Sequence, residues 1–343
     1  MAAPRVLFIG GTGVISAACA RRAVMAGFDL FMMNRGTTVL RPAPAETHVR
    51  IGDIRDPQSA REAVGDLEFD VVVDYLAFTP DHVRADLELF RGHVGQYVFI
   101  SSASAYQTPP ARLPITESTP LRNPYWQYSR DKIACEDVLV RAYREEGFPA
   151  TIVRPSHTYD QTSLPFEGGW TVIDRMRRGA PIVVHGDGTS PWTLTHHDDF
   201  ARAFTGLLAE PRAIGDSFHI TSDETLTWDQ IACILAAAAG APPRIVHVPS
   251  DAVAALDPKW GASLLGDKAH AAVFDNSKIK SLVPGWAATV PFSRGAREII
   301  EWHDADPSRR RVDRQLDATI DRLVEAFHSG QLMPGGPGTT GGA

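Results

Sequence analysis

Residues 5–16 read Arg-Val-Leu-Phe-Ile-Gly-Gly-Thr-Gly-Val-Ile-Ser. An apolar run from Val6 passes without polar alternation into a glycine turn at Gly10, and the stretch that follows is helical in character as far as Gly27. Strand, glycine turn and helix in this order make a phosphate cradle. Gly10 permits the tight turn, and Gly13 lets the backbone approach a pyrophosphate. The helix start at Val14 and Ile15 supplies unpaired N–H groups and a positive dipole end. A glycine triplet on its own is weak evidence, but here it sits in the context the mechanism demands. Ser16 occupies the position where a third glycine would allow close helix-to-strand packing, and serine is small enough to be tolerated there.

The same rhythm continues outward from this turn. Apolar runs at Leu30 to Met33, Val49 to Gly52, Val71 to Leu76, Tyr97 to Ser101 and Ala150 to Arg154 alternate with helical stretches. Runs that are apolar throughout belong to strands covered on both faces, so the reading is an α/β fold with a doubly wound parallel sheet. Residues 1–160 are expected to form a dinucleotide-binding domain that also receives later, interleaved elements. Residues 161–330, looser and richer in proline and glycine with helices near 171–179, 198–209 and 227–240, are read as a smaller, mainly substrate-binding region. The glycine-rich stretch 331–343 is expected to be a disordered tail.

Composition sets outer limits. The 343 residues carry 34 Lys+Arg against 41 Asp+Glu, a net charge of −7, which argues against a nucleic-acid partner. The 44% hydrophobic and 22% charged content is that of a globular protein, and no apolar run reaches the roughly 18 residues of a membrane span. The N-terminus lacks the pattern of a signal peptide, which places the chain in the cytoplasm. Cys19, Cys135 and Cys233 are too scattered for a disulfide framework or a zinc site, and no metal is expected.

Two further places carry chemistry. At the end of the second strand, where a carboxylate would bind the ribose of NAD, the chain has Asn34-Arg35-Gly36; a guanidinium there suits a 2′-phosphate, so NADP is favoured over NAD. Asp53 and Ile54, after the third strand, are placed to meet the adenine edge, with a turn or capping role for Asp53 as the rival reading. Tyr128 and Lys132 share one face of a helix spanning about 124–146. A phenol is a poor base at neutral pH, and a nearby ammonium is expected to lower its pKa. Ser101 to Ser104, at the end of the fifth strand, put hydroxyls where open α/β sheets bind ligands.

Taken together, GGTGVIS at 10–16, GDIRD at 52–56, SSASAY at 101–106, YSRDK at 128–132 and RPSHTYD at 154–160 make the chain resemble the NAD-dependent epimerase/dehydratase family of extended short-chain dehydrogenases/reductases. The resemblance implies a Rossmann-type sheet, with Ser102 orienting a substrate oxygen and Tyr128 as general acid/base. It makes Lys132 the residue that tunes Tyr128 and holds the nicotinamide ribose. It also brings Ala77, Pro155 and Ser156 beside the cofactor, implies a sugar-like small-molecule substrate, and implies a homodimer through the helices that include the Tyr-x-x-x-Lys helix.

Departures from the family pattern narrow the reaction. Ala103 and Ser104 stand where sugar-nucleotide dehydratases carry Asp-Glu, which argues against a 4,6-dehydratase. Trp192 stands where many nucleotide-sugar enzymes carry an arginine on the diphosphate. The substrate therefore either lacks a nucleoside diphosphate or meets another cation, such as Arg175 or Arg178. His157 replaces an asparagine beside the substrate, and is read as a hydrogen-bonding group or second proton carrier, or else as structural. Ser104, Trp170 and Trp192 complete the substrate candidates, Trp170 being either part of a pocket lid or plain packing. His196 and His197 precede a helix cap at Asp198-Asp199 and are not read as metal ligands. The expectation that results is an epimerase working through a transient ketone. An NADPH-dependent ketoreductase is the alternative, and a non-catalytic nucleotide- or RNA-binding relative is the rival from another class.

Overall fold

The computed structural model describes residues 2–37 and 40–329. The expected tail at 331–343 lies outside the described residues. Strands β1 (Arg5–Ile9), β2 (Asp29–Asn34), β3 (His48–Ile51), β4 (Phe69–Asp74), β5 (Val94–Ile100) and β6 (Ala150–Pro155) carry the apolar runs read from the sequence. They alternate with α1 (Val14–Met25), α2 (Pro57–Val64), α3 (Pro80–Phe90) and α4 (Gln127–Glu146). Beyond β6 come β7 (His157–Tyr159), α5 (Trp170–Arg177), β8 (Ile182–His185), β9 (Pro191–Trp192), β10 (Leu194–His196), α6 (His197–Thr205), β11 (Ser217–Ile220), β12 (Leu226–Thr227), α7 (Trp228–Ala239) and β13 (Ile245–Val248).

Seven strands form one parallel sheet in the order β11-β6-β5-β4-β1-β2-β3. The chain thus returns from the substrate region to add β11 at the edge. Strand order reverses between β1 and β4, and the crevice beyond their carboxyl ends is where such sheets bind ligands. Both faces of the sheet are buried. Val6, Phe8, Val71 and Val73 pack into one cluster with α1 and α6 residues, and Leu7, Ile9, Val72 and Phe99 into the opposite one with residues of α3 and α4. Each such side chain contributes roughly 1.5–3 kcal/mol on burial.

The third-glycine departure has a structural answer. Ser16 is buried in α1, and its Oγ accepts the Gly13 N–H at 2.8 Å, so the serine caps its own helix. The small side chains of Ala17, Ala18, Cys19 and Ala20 let α1 lie close on the sheet. In the substrate region α7 runs within its expected bounds because Thr227 and Gln230 form a capping box and Gly240 ends the helix at φ +69°. Three two-stranded pairs, β10 with β7, β12 with β9 and β13 with β8, surround a separate core that holds Trp170, Trp192 and Trp228. No helix among the described residues is long and apolar enough to cross a membrane.

Candidate active site

Two cavities of about 340 Å³ each open beyond the carboxyl ends of the sheet. The first, called the nucleotide cavity after the residues expected to hold the cofactor, is lined by Gly10, Asn34, Arg35, Asp53 and Ile54. Gly10 has φ +105°, and a Cβ there would meet Leu76 Cγ at 3.3 Å, so the turn must stay glycine to keep its shape. Gly13, Val14 and Ile15 sit at the start of α1 behind the turn. Leu76 and Phe78 present exposed apolar surface to this cavity and were not foreseen, whereas Ala77 between them is buried. A flat base laid against two exposed apolar side chains, with its phosphates at a glycine turn and helix start, is the ligand these walls fit. Asn34 Oδ1 accepts the Gly36 N–H at 2.8 Å, shaping the loop that presents Arg35 to solvent at the cavity. Asp53 takes the turn role, its Oδ1 accepting the Arg55 N–H at 2.9 Å, and also lines the cavity; α2 is capped by Asp56 instead.

The second cavity gathers Ser102, Ser104, Tyr128, Pro155, Ser156, His157 and Trp192. It is assembled by Asn123, a buried residue that the sequence reading missed. Asn123 Oδ1 accepts the N–H groups of Tyr125 and Trp126 at 3.2 and 3.1 Å, closing the turn that leads into α4, while its Nδ2 donates to the carbonyls of Ser104 and Gly266 at 2.9 and 2.6 Å. One amide therefore ties the helix bearing Tyr128 to the serine turn and to a distant segment of chain. Within the turn, Ser102 Oγ lies 2.9 Å from Ser104 Oγ, which accepts the Ser129 hydroxyl at 2.8 Å. Ser104 is thus a link in a hydroxyl chain behind Ser102.

Lys132 lies beneath, 2% exposed, and its ammonium donates to the carbonyls of Ala77 (2.6 Å) and Ile100 (2.8 Å). Burial lowers its pKa to about 8. The expected lowering of the Tyr128 pKa by this ammonium does not occur in this arrangement. Desolvation dominates and raises the phenol above its ordinary value; the Ser102 hydroxyl opposes the rise and the negative charge of Asp267 adds to it. The physical reason is burial of the phenol, which outweighs the Ser102 hydrogen bond, while the Lys132 ammonium makes its hydrogen bonds to Ala77 and Ile100 and none to the phenol.

Three other expectations are corrected. Burial pushes His157 down to about 3, so it stays neutral and is no proton carrier at physiological pH; its Nδ1 accepts the Trp192 Nε1–H at 3.2 Å. Trp170 does not line the cavity: it is buried at the start of α5 with its ring stacked on His303 at 4.8 Å. Arg175 and Arg178 are not available to a diphosphate, because Arg175 is fully buried against Asp317 and Asp321 while Arg178 pairs with Asp174 and Asp317. His196, His197 and Asp198 place ligand atoms within 4.8 Å of one another, yet both His196 ring nitrogens are committed, Nδ1 to the Asp198 N–H and Nε2 to Glu298.

Beneath the cavity, the buried Arg154 and Glu136 pair at 2.5 Å, and Arg154 also donates to the Tyr106 hydroxyl at 3.2 Å. Asp267, Lys268, Trp126 and Phe274 complete the cavity wall. Residues 267–274 lie far along the chain in a stretch with no periodic signal, so only the fold brings them here.

The NAD-dependent epimerase/dehydratase family model matches residues 6–221. A 2′-dehydrokanamycin reductase of Streptomyces kanamyceticus is 27% identical over 96% of this chain and 93% of its own length. The chloroplast stem-loop binding protein of 41 kDa b from Arabidopsis thaliana is 27% identical over 71% of this chain and 65% of that protein. Among solved structures, the dTDP-glucose 4,6-dehydratase of Bacillus anthracis in complex with NAD superposes with a TM-score of 0.72 at 17% identity, covering 89% of this chain and 98% of that one.

Proposed function

The chain belongs to the NAD-dependent epimerase/dehydratase family, and from that premise we propose that it is an NADPH-dependent ketoreductase converting the ketone of a sugar-like ring to a secondary alcohol. The observation that carries this reading is that no arginine among the described residues lines the substrate cavity. An epimerase must hold its ketone while the ring turns to offer the opposite face, and a diphosphate gripped by a guanidinium is a strong way to hold it. Here Trp192 stands in the wall with its N–H committed to His157. A ketone or alcohol without a tether leaves after one hydride transfer, which is net reduction or oxidation. The raised pKa of Tyr128 keeps its proton at neutral pH, which suits an acid and hence the direction of reduction. The reductase from Streptomyces kanamyceticus, similar along nearly the whole chain, acts by its name on a dehydro sugar of this kind. These observations favour reduction over epimerisation, the activity put first on sequence alone.

When bound, NADPH supplies the hydride that adds to the carbonyl carbon. The Ser102 hydroxyl donates a hydrogen bond to the carbonyl oxygen and orients it. Tyr128 gives its phenolic proton to that oxygen as the C=O π pair moves onto it, so the product is the neutral alcohol. The Ser102–Ser104–Ser129 chain fixes the donor's direction, and Lys132, anchored on Ala77 and Ile100, holds the floor below the phenol. Gly10, Gly13, Val14 and Ile15 would hold the pyrophosphate, Asp53 and Ile54 the adenine, and Arg35 a 2′-phosphate; Arg35 has no ion-pair partner among the described residues. A nucleic-acid-binding role, as in the stem-loop binding relative, is disfavoured by the net charge of −7 and by the intact Ser102, Tyr128 and Lys132. The reading includes a homodimer through the helices that include α4, for which sedimentation is expected to give twice the chain mass.

The test is NADPH oxidation in the presence of 2′-dehydrokanamycin. Wild-type protein is expected to consume NADPH and the Tyr128→Phe variant to bind it without turnover; equal rates in the two would refute the assignment.

A further inference from the structure

Asp267 is a carboxylate held in the substrate cavity with nothing to hold. It sits in a single π-helical turn, Leu264–Lys268, a distortion found disproportionately at functional sites. The turn is pinned from several sides. Asn123 donates to the Gly266 carbonyl at 2.6 Å, and His185 Nε2 and Trp228 Nε1 both donate to the Lys268 carbonyl, at 2.7 and 3.1 Å. His270 Nε2 adds a bond to the Leu265 carbonyl at 3.0 Å. The backbone on both sides of Asp267 is therefore fixed, and the direction of its side chain with it.

The carboxylate itself has neither a hydrogen bond nor an ion pair with any described residue. Burial pushes its pKa up to about 6, and the neighbouring Lys268 charge offsets this only in part. It is therefore ionised at neutral pH, half-buried and without a hydrogen-bond partner among the described residues, so an ammonium entering the cavity would gain a charge-assisted bond there. The other titratable groups on the wall are Tyr106, Tyr128, His157, His270 and Lys268, and the Tyr106 hydroxyl is already taken up by Arg154 and His219. His157 is neutral, and the Lys268 ammonium lies over the Trp126 ring at 5.7 Å. One ammonium beside one carboxylate gives no fork for a diphosphate. Trp126, Trp192 and Phe274 provide flat faces for sugar rings.

We propose that Asp267 recognises an ammonium group of the substrate, so that the ketone reduced at Tyr128 belongs to an amino sugar or aminocyclitol and not to a nucleotide-bound sugar. This rests on the reductase reading for the ketone, but the recognition is measured separately by binding.

The experiment titrates the NADP-bound protein with kanamycin, maltotriose and UDP-glucose, cationic, neutral and anionic probes in turn, following the fluorescence of Trp126 and Trp192. The isosteric Asp267→Asn variant is compared with wild type after its NADPH binding has been shown to be intact. Kanamycin is expected to bind wild type and to bind Asp267→Asn at least tenfold more weakly, while maltotriose binds both alike. The proposal is overturned if kanamycin fails to bind wild type, if the variant binds it equally well, if maltotriose loses as much as kanamycin, or if UDP-glucose is preferred. NADPH oxidation with 2′-dehydrokanamycin separates the two claims. Kanamycin binding that depends on Asp267, without NADPH consumption, would defeat the reductase reading alone. NADPH consumption that is indifferent to Asp267→Asn would defeat the ammonium assignment alone.

Discussion

The two cavities of equal size at the end of the sheet are built in opposite ways. The nucleotide cavity comes from residues 10 to 82, most of them at or just beyond the carboxyl ends of strands. The substrate cavity draws on segments around 102–128, 155–158, 192–193 and 267–274, joined by Asn123 and by the carbonyls at Gly266 and Lys268. A site made by local turns inherits its shape from glycines and helix starts. A site made by long-range closure takes its chemistry from whichever side chains the closure delivers, and here it delivers a carboxylate in place of an arginine.

The contrast is broken or sharpened by substitution, beginning with the largest effect. Tyr128→Phe removes the proton donor together with its Ser102 hydrogen bond and keeps the ring, so kcat is expected to fall roughly 10³-fold with NADPH affinity unchanged, measured by steady-state kinetics and by cofactor fluorescence. Loss of both together would mean that the two cavities are not separable units. Glu136→Ala leaves Arg154 buried without its partner beneath the substrate cavity. It is expected to cost about 3–5 kcal/mol in urea unfolding, and a cost near zero would show the pair to be dispensable.

On the nucleotide side the effects are local and smaller. Arg35→Ala is expected to weaken NADPH about tenfold in equilibrium titration and leave NADH untouched, the loss of one exposed charge-assisted bond worth about 1.4 kcal/mol. Parallel loss for both cofactors would remove the NADP assignment. Gly10→Ala forces a side chain to φ +105° and is expected to cost about 1–3 kcal/mol of stability, with weaker cofactor binding.

The smallest effect has a sign that tells function from structure. The folded pKa of Asp267 is raised to about 6 by burial, so its ionised form costs stability above pH 6, and the cost disappears as pH falls towards the ordinary carboxylate range. Asp267→Asn is therefore expected to raise Tm at pH 7.5 and to lose that gain by pH 4.5. A lower Tm at pH 7.5 would make Asp267 a structural residue.

Legibility in the sequence follows the same division. The strands, the glycine turn and the Tyr128–Lys132 pair could be read because each is a local pattern with its own periodicity or spacing. Ser16 broke the glycine pattern, and its role as a cap of its own helix emerged only in three dimensions. The sequence misled where burial decides the chemistry: Lys132 was expected to act on Tyr128, yet desolvation and two carbonyls govern both groups. Among the readings left open, burial removes the proton-carrier role for His157, and the stack on His303 selects packing over a pocket lid for Trp170. Asn123 was overlooked because its tie to Gly266 spans 143 residues, and Asp267 because it has no hydrogen-bond partner among the described residues.

The most direct test of the reductase account is the cofactor balance of a single reaction mixture containing NADPH, 2′-dehydrokanamycin and the protein. The account predicts one NADPH oxidised for each alcohol formed. Interconversion of UDP-glucose and UDP-galactose by the same preparation, with no net change in cofactor and no reduction of the ketone, would contradict it.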